Sequence, residues 1–313
     1  MVCCKATDQL KKKRLVEKAP DARNSEACAA AAYSNGTQAS KRSRDAADGL
    51  LQRPPGAGEY MIKLENIHVS FDGRPVLSGI DLTIEKGETM VVIGPSGTGK
   101  STLLRLIIGL LKPTAGKVWV LGNDVSAMNE DQLNVLRRQM GMVFQYSALF
   151  DSMTVGENVA FGLRQHTNMA EEEILRIVRR KLRMVGLWGQ ESKLPNELSG
   201  GMKKRVSLAR AIALNPDIVL YDEPTAGLDP IKSSAIDRLI SSTRRHLGAT
   251  SVVVTHDMNS AFTVADRLAM INDGRIIELG TVEEFKNSAN PKVQQFIHGW
   301  KSPGSSAQRR QKV

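Results

Sequence analysis

The sequence predicts an α/β protein with a doubly wound, mainly parallel core sheet, an antiparallel β subdomain before it and a helical subdomain inserted into it. Short, mainly apolar runs at 90–93, 218–221 and 251–255 are typical of strands buried on both faces. Segments of helical character separate these runs, as expected for a parallel sheet. The first run leads directly into a glycine-rich loop and then a helix, an order found where such sheets bind phosphate.

Each flanking element has its own local signal. Apolar residues alternate over 62–71 and again over 80–84, which predicts antiparallel strands joined by a tight turn. The segment from about 145 to 200 is predicted to form the helical subdomain, because Thr154 begins a capping box there. The helix predicted at 171–185 begins with three Glu and carries basic residues later, as the helix dipole favours.

The last third of the chain carries clear start and stop signals. Asp229 and the following Pro start a helix that Gly248 should end. The sequence Asn-Asp-Gly at 272–274 predicts a β-hairpin. A second capping box begins at Thr281, and one more short helix is predicted around 293–298.

The formal net charge of +10 lies mainly in the two ends of the chain. Residues 1–60 carry 11 Lys and Arg against 7 Asp and Glu, and residues 301–313 carry 4 against none, which leaves 28 against 26 between them. The folded part is therefore close to neutral, so no nucleic-acid partner is expected. No apolar run is long enough to cross a bilayer, so any membrane role is expected to depend on partner proteins.

Residues 1–59 are predicted to form a disordered extension, because they are rich in Ala, Ser, Lys and Arg and lack sustained periodicity. Three interpretations remain open: an organelle transit peptide, a membrane tether through acylated Cys3 or Cys4, and a solvated tail. A folded domain is predicted at 60–286, followed by a C-terminal helix and basic tail at 287–313.

The glycine-rich loop carries the first functional motif. Gly94 to Ser101 match the pattern Gly-x-x-x-x-Gly-Lys-Ser/Thr, in the strand, loop and helix context that the motif requires. Backbone N–H groups would hold the phosphates of ATP, Lys100 would reach the β- and γ-phosphate oxygens, and the Ser101 hydroxyl would bind Mg²⁺. The motif predicts a P-loop NTPase core. The predicted nucleotide-binding residues in this segment are Gly94, Pro95, Ser96, Gly97, Thr98, Gly99, Lys100, Ser101 and Thr102.

The apolar run at 218–221 ends in Asp222 and Glu223, at the sheet edge where open α/β sheets present their ligands. We predict that Asp222 helps to hold Mg²⁺ and that Glu223 polarises the attacking water. An isolated Asp-Glu pair would usually be a solvated turn, and the phosphate loop upstream is what favours the catalytic interpretation.

The order of motifs from residue 61 to about 286 resembles the nucleotide-binding subunit of ATP-binding-cassette (ABC) transporters. The resemblance rests on the phosphate loop, Gln145, Leu-Ser-Gly-Gly-Met at 198–202, Asp222-Glu223, Gly-Leu-Asp-Pro at 227–230 and His256. It implies a head-to-tail dimer with a second copy of the chain, in which Ser199, Gly200 and Gly201 meet the γ-phosphate held by the other subunit. A helix predicted from Met202 to Ala213 would add its dipole to that contact.

Four further roles are implied by the resemblance. Phe71 falls where the family stacks an aromatic ring on adenine, and His256 falls where it contacts the γ-phosphate. Gln145 falls where the family touches Mg²⁺ and the catalytic water. Asp229 would join the two sites across the dimer in addition to capping its helix. Without the resemblance, His256 would be interpreted as a buried structural residue and Gln145 as an ordinary loop residue.

Three segments narrow the resemblance to one group. The first segment is Met202, where many cassettes have Gln, with the Lys-Lys-Arg that follows it. The other two are residues 144–159 and residues 290–296. All three resemble the corresponding segments in the ATPases of mammalian-cell-entry (MCE) lipid transporters. This group has bacterial and plastid members. The resemblance implies ATP-driven transport of phospholipid- or glycolipid-type molecules, with a transmembrane permease and an MCE-type lipid-binding protein as partners.

Two alternatives stay open, an ATPase of a polar-solute ABC importer and a soluble ABC protein that does not transport. The expected location is peripheral on a membrane. It would be the stromal side of the chloroplast inner envelope if the extension is a transit peptide, and otherwise the cytoplasmic face of the plasma membrane.

Overall fold

A computed structural model of the chain describes residues 60–299. The predicted extension at 1–59 and the basic tail after residue 299 lie outside the described residues. The strands are β1 (Tyr60–Phe71), β2 (Arg74–Glu85), β3 (Thr89–Ile93), β4 (Ala115–Val120), β5 (Asn123–Asp124), β6 (Met140–Val143), β7 (Ile218–Asp222), β8 (Thr250–Val254), β9 (Arg267–Asn272) and β10 (Arg275–Thr281). The helices are α1 (Lys100–Ile107), α2 (Glu130–Arg137), α3 (Val155–His166), α4 (Glu171–Met184), α5 (Gly200–Ala211), α6 (Pro230–Leu247), α7 (Met258–Val264), α8 (Val282–Lys286) and α9 (Pro291–Gly299).

The first sheet has the strand order β2-β1-β4-β5, and its strand pairs are antiparallel. Alternate residues of β1 are buried, Ile62 and Leu64 before a register irregularity and Ile67 and Val69 after it, because a strand points successive side chains to opposite faces. The β1–β2 pairing runs to Phe71 opposite Arg74, so the hairpin turns tightly there. The predicted antiparallel subdomain is therefore present.

The second sheet has the order β10-β9-β3-β8-β7-β6. Strands β9, β3, β8, β7 and β6 pair in parallel, and β10 joins antiparallel at one edge. The β9–β10 turn places Asp273 at φ 49° and Gly274 at φ 73°, the left-handed pair that a tight hairpin turn requires. This confirms the predicted hairpin and the mainly parallel core sheet.

Strand β3 separates two hydrophobic clusters. Met90 and Val92 face a cluster that includes the first sheet and α1, whereas Val91 and Ile93 face a cluster built mainly from the helices α3 to α7. All four side chains are fully buried. A strand covered on both faces needs apolar residues at every position, which is why the run is continuous rather than alternating.

The helical subdomain follows the predicted local signals. Thr154 caps α3 with a complete capping box, and α4 begins with three Glu and ends with basic residues. The helix expected from Met202 to Ala213 instead begins at Gly200 and ends at Ala211. The prediction placed the start two residues too late, because the side chain of Ser199 accepts from the Met202 N–H and so caps a helix that begins at Gly200.

The segment between residues 110 and 144 contains structure that the sequence did not predict. Strands β4, β5 and β6 and helix α2 all lie there. Strand β6 has only four residues and is stabilised as a strand by its parallel pairing with β7. Within residues 60–299, no helix combines the length and the apolarity needed to cross a membrane.

Candidate nucleotide site

The carboxyl ends of four adjacent parallel strands meet at one edge of the second sheet. Strand β3 leads into the phosphate loop, β7 ends at Asp222 and is followed by Glu223, β8 leads to His256, and β6 leads to Gln145. Because the strand order is β3-β8-β7-β6, the topology brings these sequence-distant motifs together. This is the edge at which open α/β sheets bind their ligands.

The phosphate loop needs glycine at two positions that pack against neighbouring segments. A Cβ on Gly94 would lie 2.2 Å from the backbone oxygen of Ile271, and a Cβ on Gly99 would lie 2.6 Å from Leu77 Cδ2. Both residues also have positive φ, 149° and 94°. Helix α1 has no side-chain cap at its N-terminus, so the first N–H groups of α1 remain suited to an anion.

Backbone oxygens at the start of the phosphate loop bind the Lys100 ammonium. Lys100 Nζ donates to the backbone oxygens of Gly94 and Pro95, each at 2.8 Å, and Thr98 Oγ1 donates to the Pro95 oxygen at 2.9 Å. Burial lowers the pKa of Lys100, while the carboxylates of Glu223 and Asp222 oppose that shift. The exposed residues of the loop are Pro95, Ser96 and Gly97, and the half-buried ones on the first turn of α1 are Ser101 and Thr102.

Two oxygen ligands suited to Mg²⁺ lie side by side. Ser101 Oγ donates to Asp222 Oδ1 at 2.8 Å, across 121 residues of sequence. Among residues 60–299, no group of three or more His, Cys, Asp or Glu could hold a metal by itself. A site with one carboxylate and one hydroxyl fits Mg²⁺, which usually takes its other ligands from phosphates and water.

Glu223 and His256 form a pair beside the phosphate loop. His256 Nδ1 lies 2.9 Å from Glu223 Oε2, and the Glu223 side chain is largely buried while that of His256 is half-exposed. The backbone of Glu223 is left-handed, with φ 47°, and its N–H donates to the Val254 oxygen at 2.9 Å. Such a conformation is uncommon outside glycine and is typical of functional sites.

The loop after β6, residues 144–153, is braced by two side chains that the sequence analysis did not single out. Asn158 is fully buried and bonds to the backbone of Phe150, Met153 and Thr154. Arg210 donates to the oxygens of Ser147 and Ala148. These contacts tie the loop to α3 and α5, and the position of β6 beside β7 brings the half-buried Gln145 to the same sheet edge as Glu223.

Phe71 is placed near the loop by the first sheet. It ends β1 and is 44% exposed, so its ring is available to a ligand. Val76 and Leu77, a few residues along the same hairpin, are the residues that a Cβ on Gly99 would meet. The start of β2 therefore lies beside the phosphate loop, and Phe71 lies a few residues away on the paired strand, which is compatible with adenine stacking.

Ser199, Gly200 and Gly201 lie at the N-terminus of α5, and the first two are exposed. The Asp229 side chain caps α6 by accepting from the Lys232 N–H at 2.9 Å, and it pairs with the Lys232 ammonium at 2.6 Å. The predicted capping role of Asp229 is confirmed. The roles of these residues across a dimer stay predictions, because the structure describes one chain.

A buried acidic cluster behind the site was not predicted. Ser260 Oγ lies 3.0 Å from Asp237 Oδ2, 3.1 Å from Asp257 Oδ2 and 3.4 Å from Thr225 Oγ1. Asp237 is 4% exposed, and its other carboxylate oxygen has no hydrogen-bond partner. Burial raises the pKa of Asp237 to about 6, the Ser260 hydroxyl opposes the shift, and Asp257 adds to it.

Asp237→Asn is expected to be better tolerated as the pH rises. The pKa of Asp237 is about 6 in the folded state against 3.8 in the unfolded state, so its own contribution to wild-type stability is fully present below pH 3.8 and is lost as the pH rises through 6. Asn does not titrate, so the variant should gain about 1–2 kcal/mol relative to wild type between pH 5 and pH 8. Urea unfolding of both proteins at the two pH values measures this, and a pH-independent difference would contradict it.

Comparison with known proteins identifies the family. The ABC transporter family model matches residues 77–226. The Arabidopsis thaliana protein TRIGALACTOSYLDIACYLGLYCEROL 3, chloroplastic, is 42% identical over 258 residues, covering 77% of this chain and 74% of that protein. The chain belongs to the ABC transporter family. A second relative of this ABC ATPase is the intermembrane phospholipid transport system ATP-binding protein MlaF of Escherichia coli (strain K12), 39% identical over 239 residues, covering 76% of this chain and 89% of that protein.

Two further similarities extend the comparison. The probable ribonucleotide transport ATP-binding protein mkl of Mycobacterium tuberculosis (strain ATCC 25618 / H37Rv) is 42% identical over 238 residues, covering 76% of this chain but 66% of that protein, just under two thirds. A solved dimeric ATP-binding cassette in a post-hydrolysis state, bound to ADP and phosphate, is 35% identical with a TM-score of 0.66, and covers 71% of this chain and 99% of that one. The predicted P-loop fold of the ABC ATPase type is confirmed.

Proposed function

We propose that this ABC ATPase hydrolyses ATP as a subunit of a membrane transporter for lipids. The observation that carries the proposal is the joint placement of two pairs at one sheet edge, Ser101 with Asp222 at 2.8 Å and His256 with Glu223 at 2.9 Å. The first pair supplies Mg²⁺ ligands beside the phosphate loop. The second supplies a carboxylate base held in place by an imidazole.

The positions of these residues suggest a separate role for each in ATP binding and hydrolysis. The Lys100 ammonium and the N–H groups at the start of α1 would bind the phosphates of ATP, and Phe71 would stack on adenine. Mg²⁺, when bound at Ser101 and Asp222, would neutralise charge on the β- and γ-phosphate oxygens. Glu223 would accept a proton from the attacking water. His256 would orient Glu223 and contact the γ-phosphate. Gln145 would contact Mg²⁺ and the attacking water.

A second copy of the chain would complete each site. The exposed Ser199 and Gly200, at the N-terminus of α5, offer a hydroxyl, N–H groups and the positive end of a helix dipole to an anion. The similar solved cassette is dimeric. We infer that Ser199, Gly200, Gly201 and Asp229 act on the nucleotide held by the other subunit.

The relatives favour a lipid as cargo, because one is named for intermembrane phospholipid transport and another for trigalactosyldiacylglycerol. The mycobacterial relative is named for ribonucleotide transport, so a polar solute is the competing cargo. Lipid transport would require a transmembrane permease and an MCE-type lipid-binding partner. The chain would then lie peripherally on a membrane, and the chloroplastic relative favours a plastid envelope.

The test is purification of the full chain with its native membrane partners, followed by reconstitution into vesicles. We expect Mg²⁺-dependent ATP hydrolysis, co-purification of a permease and an MCE-type protein, and ATP-dependent transfer of a fluorescent phospholipid. A parallel assay with a radiolabelled ribonucleotide tests the competing cargo. Transport of the nucleotide but not the lipid, or recovery with a soluble solute-binding protein, would reject the lipid assignment.

A further inference from the structure

Lys204 is a buried cation that the proposed mechanism does not use. It lies on α5, three residues after Gly201, and is 6% exposed. Its ammonium donates to the backbone oxygen of Gln145, and to the backbone oxygen of Glu223 at 3.4 Å. A buried ammonium is costly unless it is well hydrogen-bonded, so these contacts explain how Lys204 is accommodated.

The two acceptors belong to different loops, the one after β6 that carries Gln145 and the one after β7 that carries Glu223. We call these the catalytic loops. Helix α5 begins at the Ser199 cap, so Lys204 lies about one turn from the residues expected to meet the partner's nucleotide. One side chain therefore connects the Ser-Gly-Gly end of α5 to both catalytic loops of the same subunit.

Other braces of the region do not make this connection. Asn158 and Arg210 bond to the loop after β6 and to the Thr154 cap that follows it, and neither has a hydrogen bond to the Glu223 loop. Lys203, the preceding lysine on α5, makes neither of the Lys204 contacts. Glu223 also has the left-handed backbone, with φ 47°, that must be held by its surroundings.

We propose that Lys204 is a positioning residue that couples α5 to the catalytic loops of its own subunit, an inference that rests on the proposed ATPase function. Its ammonium fixes the backbone carbonyl groups of Gln145 and Glu223. It thereby positions the side chains of these two residues, which are proposed to act on the attacking water. Movement of α5 when Ser199 engages a nucleotide would be transmitted to both loops. Loss of Lys204 should therefore lower the rate of ATP hydrolysis rather than the affinity for ATP, because the Lys204 hydrogen bonds go to the catalytic loops and not to the phosphate loop.

The first test compares Lys204→Met, Lys204→Arg and the matched control Lys203→Met in the assembled complex. Lys204→Met keeps an apolar stem but loses the donors, so kcat for ATP hydrolysis should fall at least about tenfold while KM changes less than about threefold. Lys204→Arg keeps a cation and should recover part of kcat. Lys203→Met should hydrolyse ATP like wild type. Unchanged kcat in Lys204→Met, or an equal loss in Lys203→Met, would overturn the proposal.

Mixed dimers test whether the effect stays within the subunit. Each dimer has one site inactivated by Glu223→Gln, and rates are compared with the same dimer lacking the Lys204 change. Lys204→Met placed in the subunit with intact Glu223 should lower the rate as in the homodimer. Placed in the Glu223→Gln subunit, it should leave the rate near the reference. A lower rate of ATP hydrolysis in the second arrangement alone would mean that Lys204 acts across the dimer. A lower rate in both arrangements would mean general misfolding. Either result overturns the proposal.

Failure of this proposal and failure of the transport proposal give different results. A wild-type complex that hydrolyses ATP without moving lipid would reject the lipid assignment and leave the Lys204 test fully valid. Full turnover of Lys204→Met beside an active wild type would reject the role of Lys204 alone. A wild-type complex with no ATP hydrolysis would reject both.

Discussion

Replacing Glu223 with Gln is expected to lower steady-state ATP turnover by roughly 10²- to 10⁴-fold while ATP binding persists. Gln is close to Glu in size and can still bond to His256 Nδ1, which lies 2.9 Å from Glu223 Oε2. It cannot accept a proton from the attacking water, so the chemical step fails and the bound state remains. Phosphate release measured on the complex gives the turnover, and size-exclusion chromatography with ATP shows the dimer that accumulates.

The matched control for this variant is Glu172→Gln, which changes the same chemical group at an exposed position on α4. It should hydrolyse ATP like wild type, because a surface carboxylate away from the site has little effect. Turnover near the wild-type rate in Glu223→Gln would show that another group is the base. ATP-loaded Glu223→Gln that stays monomeric would argue against the dimer in which Ser199 acts on the partner's nucleotide.

The parts of the fold that could be predicted are those set by short-range physics. The Thr154, Asp229 and Thr281 caps each depend on residues within one helical turn, and each forms as predicted. The phosphate loop was predictable because it connects a buried strand and a helix that are contiguous in sequence. Asp222 and Glu223 were predictable because they directly follow a buried apolar run, whereas Gln145 and His256 were named only through the family resemblance.

The unpredicted parts depend on contacts between distant segments. Strand β6 has the sequence Met-Gly-Met-Val, which carries no alternation, and it becomes a strand because β7 provides a parallel neighbour. The left-handed backbone of Glu223 is held by Val254 and the surrounding loops, not by its own propensity.

Two buried charged residues were missed although helical spacing gave a signal. Lys204 lies four residues before the buried Leu208, and Asp237 lies three residues before the buried Ile240, so each falls on the apolar face of its helix. A charged residue on such a face needs buried partners. The partners, Gln145 and Glu223 in one case and Ser260 in the other, come from other loops and helices and cannot be identified by spacing alone.

Lys100→Ala is expected to weaken ATP binding by roughly 10²-fold, because it removes a cation whose charged hydrogen bonds to phosphate contribute about 1.5–3 kcal/mol each. The ammonium is buried inside the loop and bonded to the Gly94 and Pro95 oxygens at 2.8 Å. Fluorescent nucleotide titration gives the affinity. The control is Lys112→Ala, at an exposed lysine after α1, which should bind ATP like wild type.

Thermal unfolding separates this variant from Glu223→Gln. A ligand at free concentration L that binds only the folded state stabilises it by RT ln(1 + L/Kd), so a 10²-fold loss of affinity should remove most of the rise in melting temperature that ATP produces. Lys100→Ala should melt near the wild-type temperature without nucleotide and gain little with it, whereas Glu223→Gln should gain as much as wild type or more. If Lys100→Ala kept the full ATP-dependent rise, the ammonium between Gly94 and Pro95 would not be a phosphate ligand, and the loop would need another role.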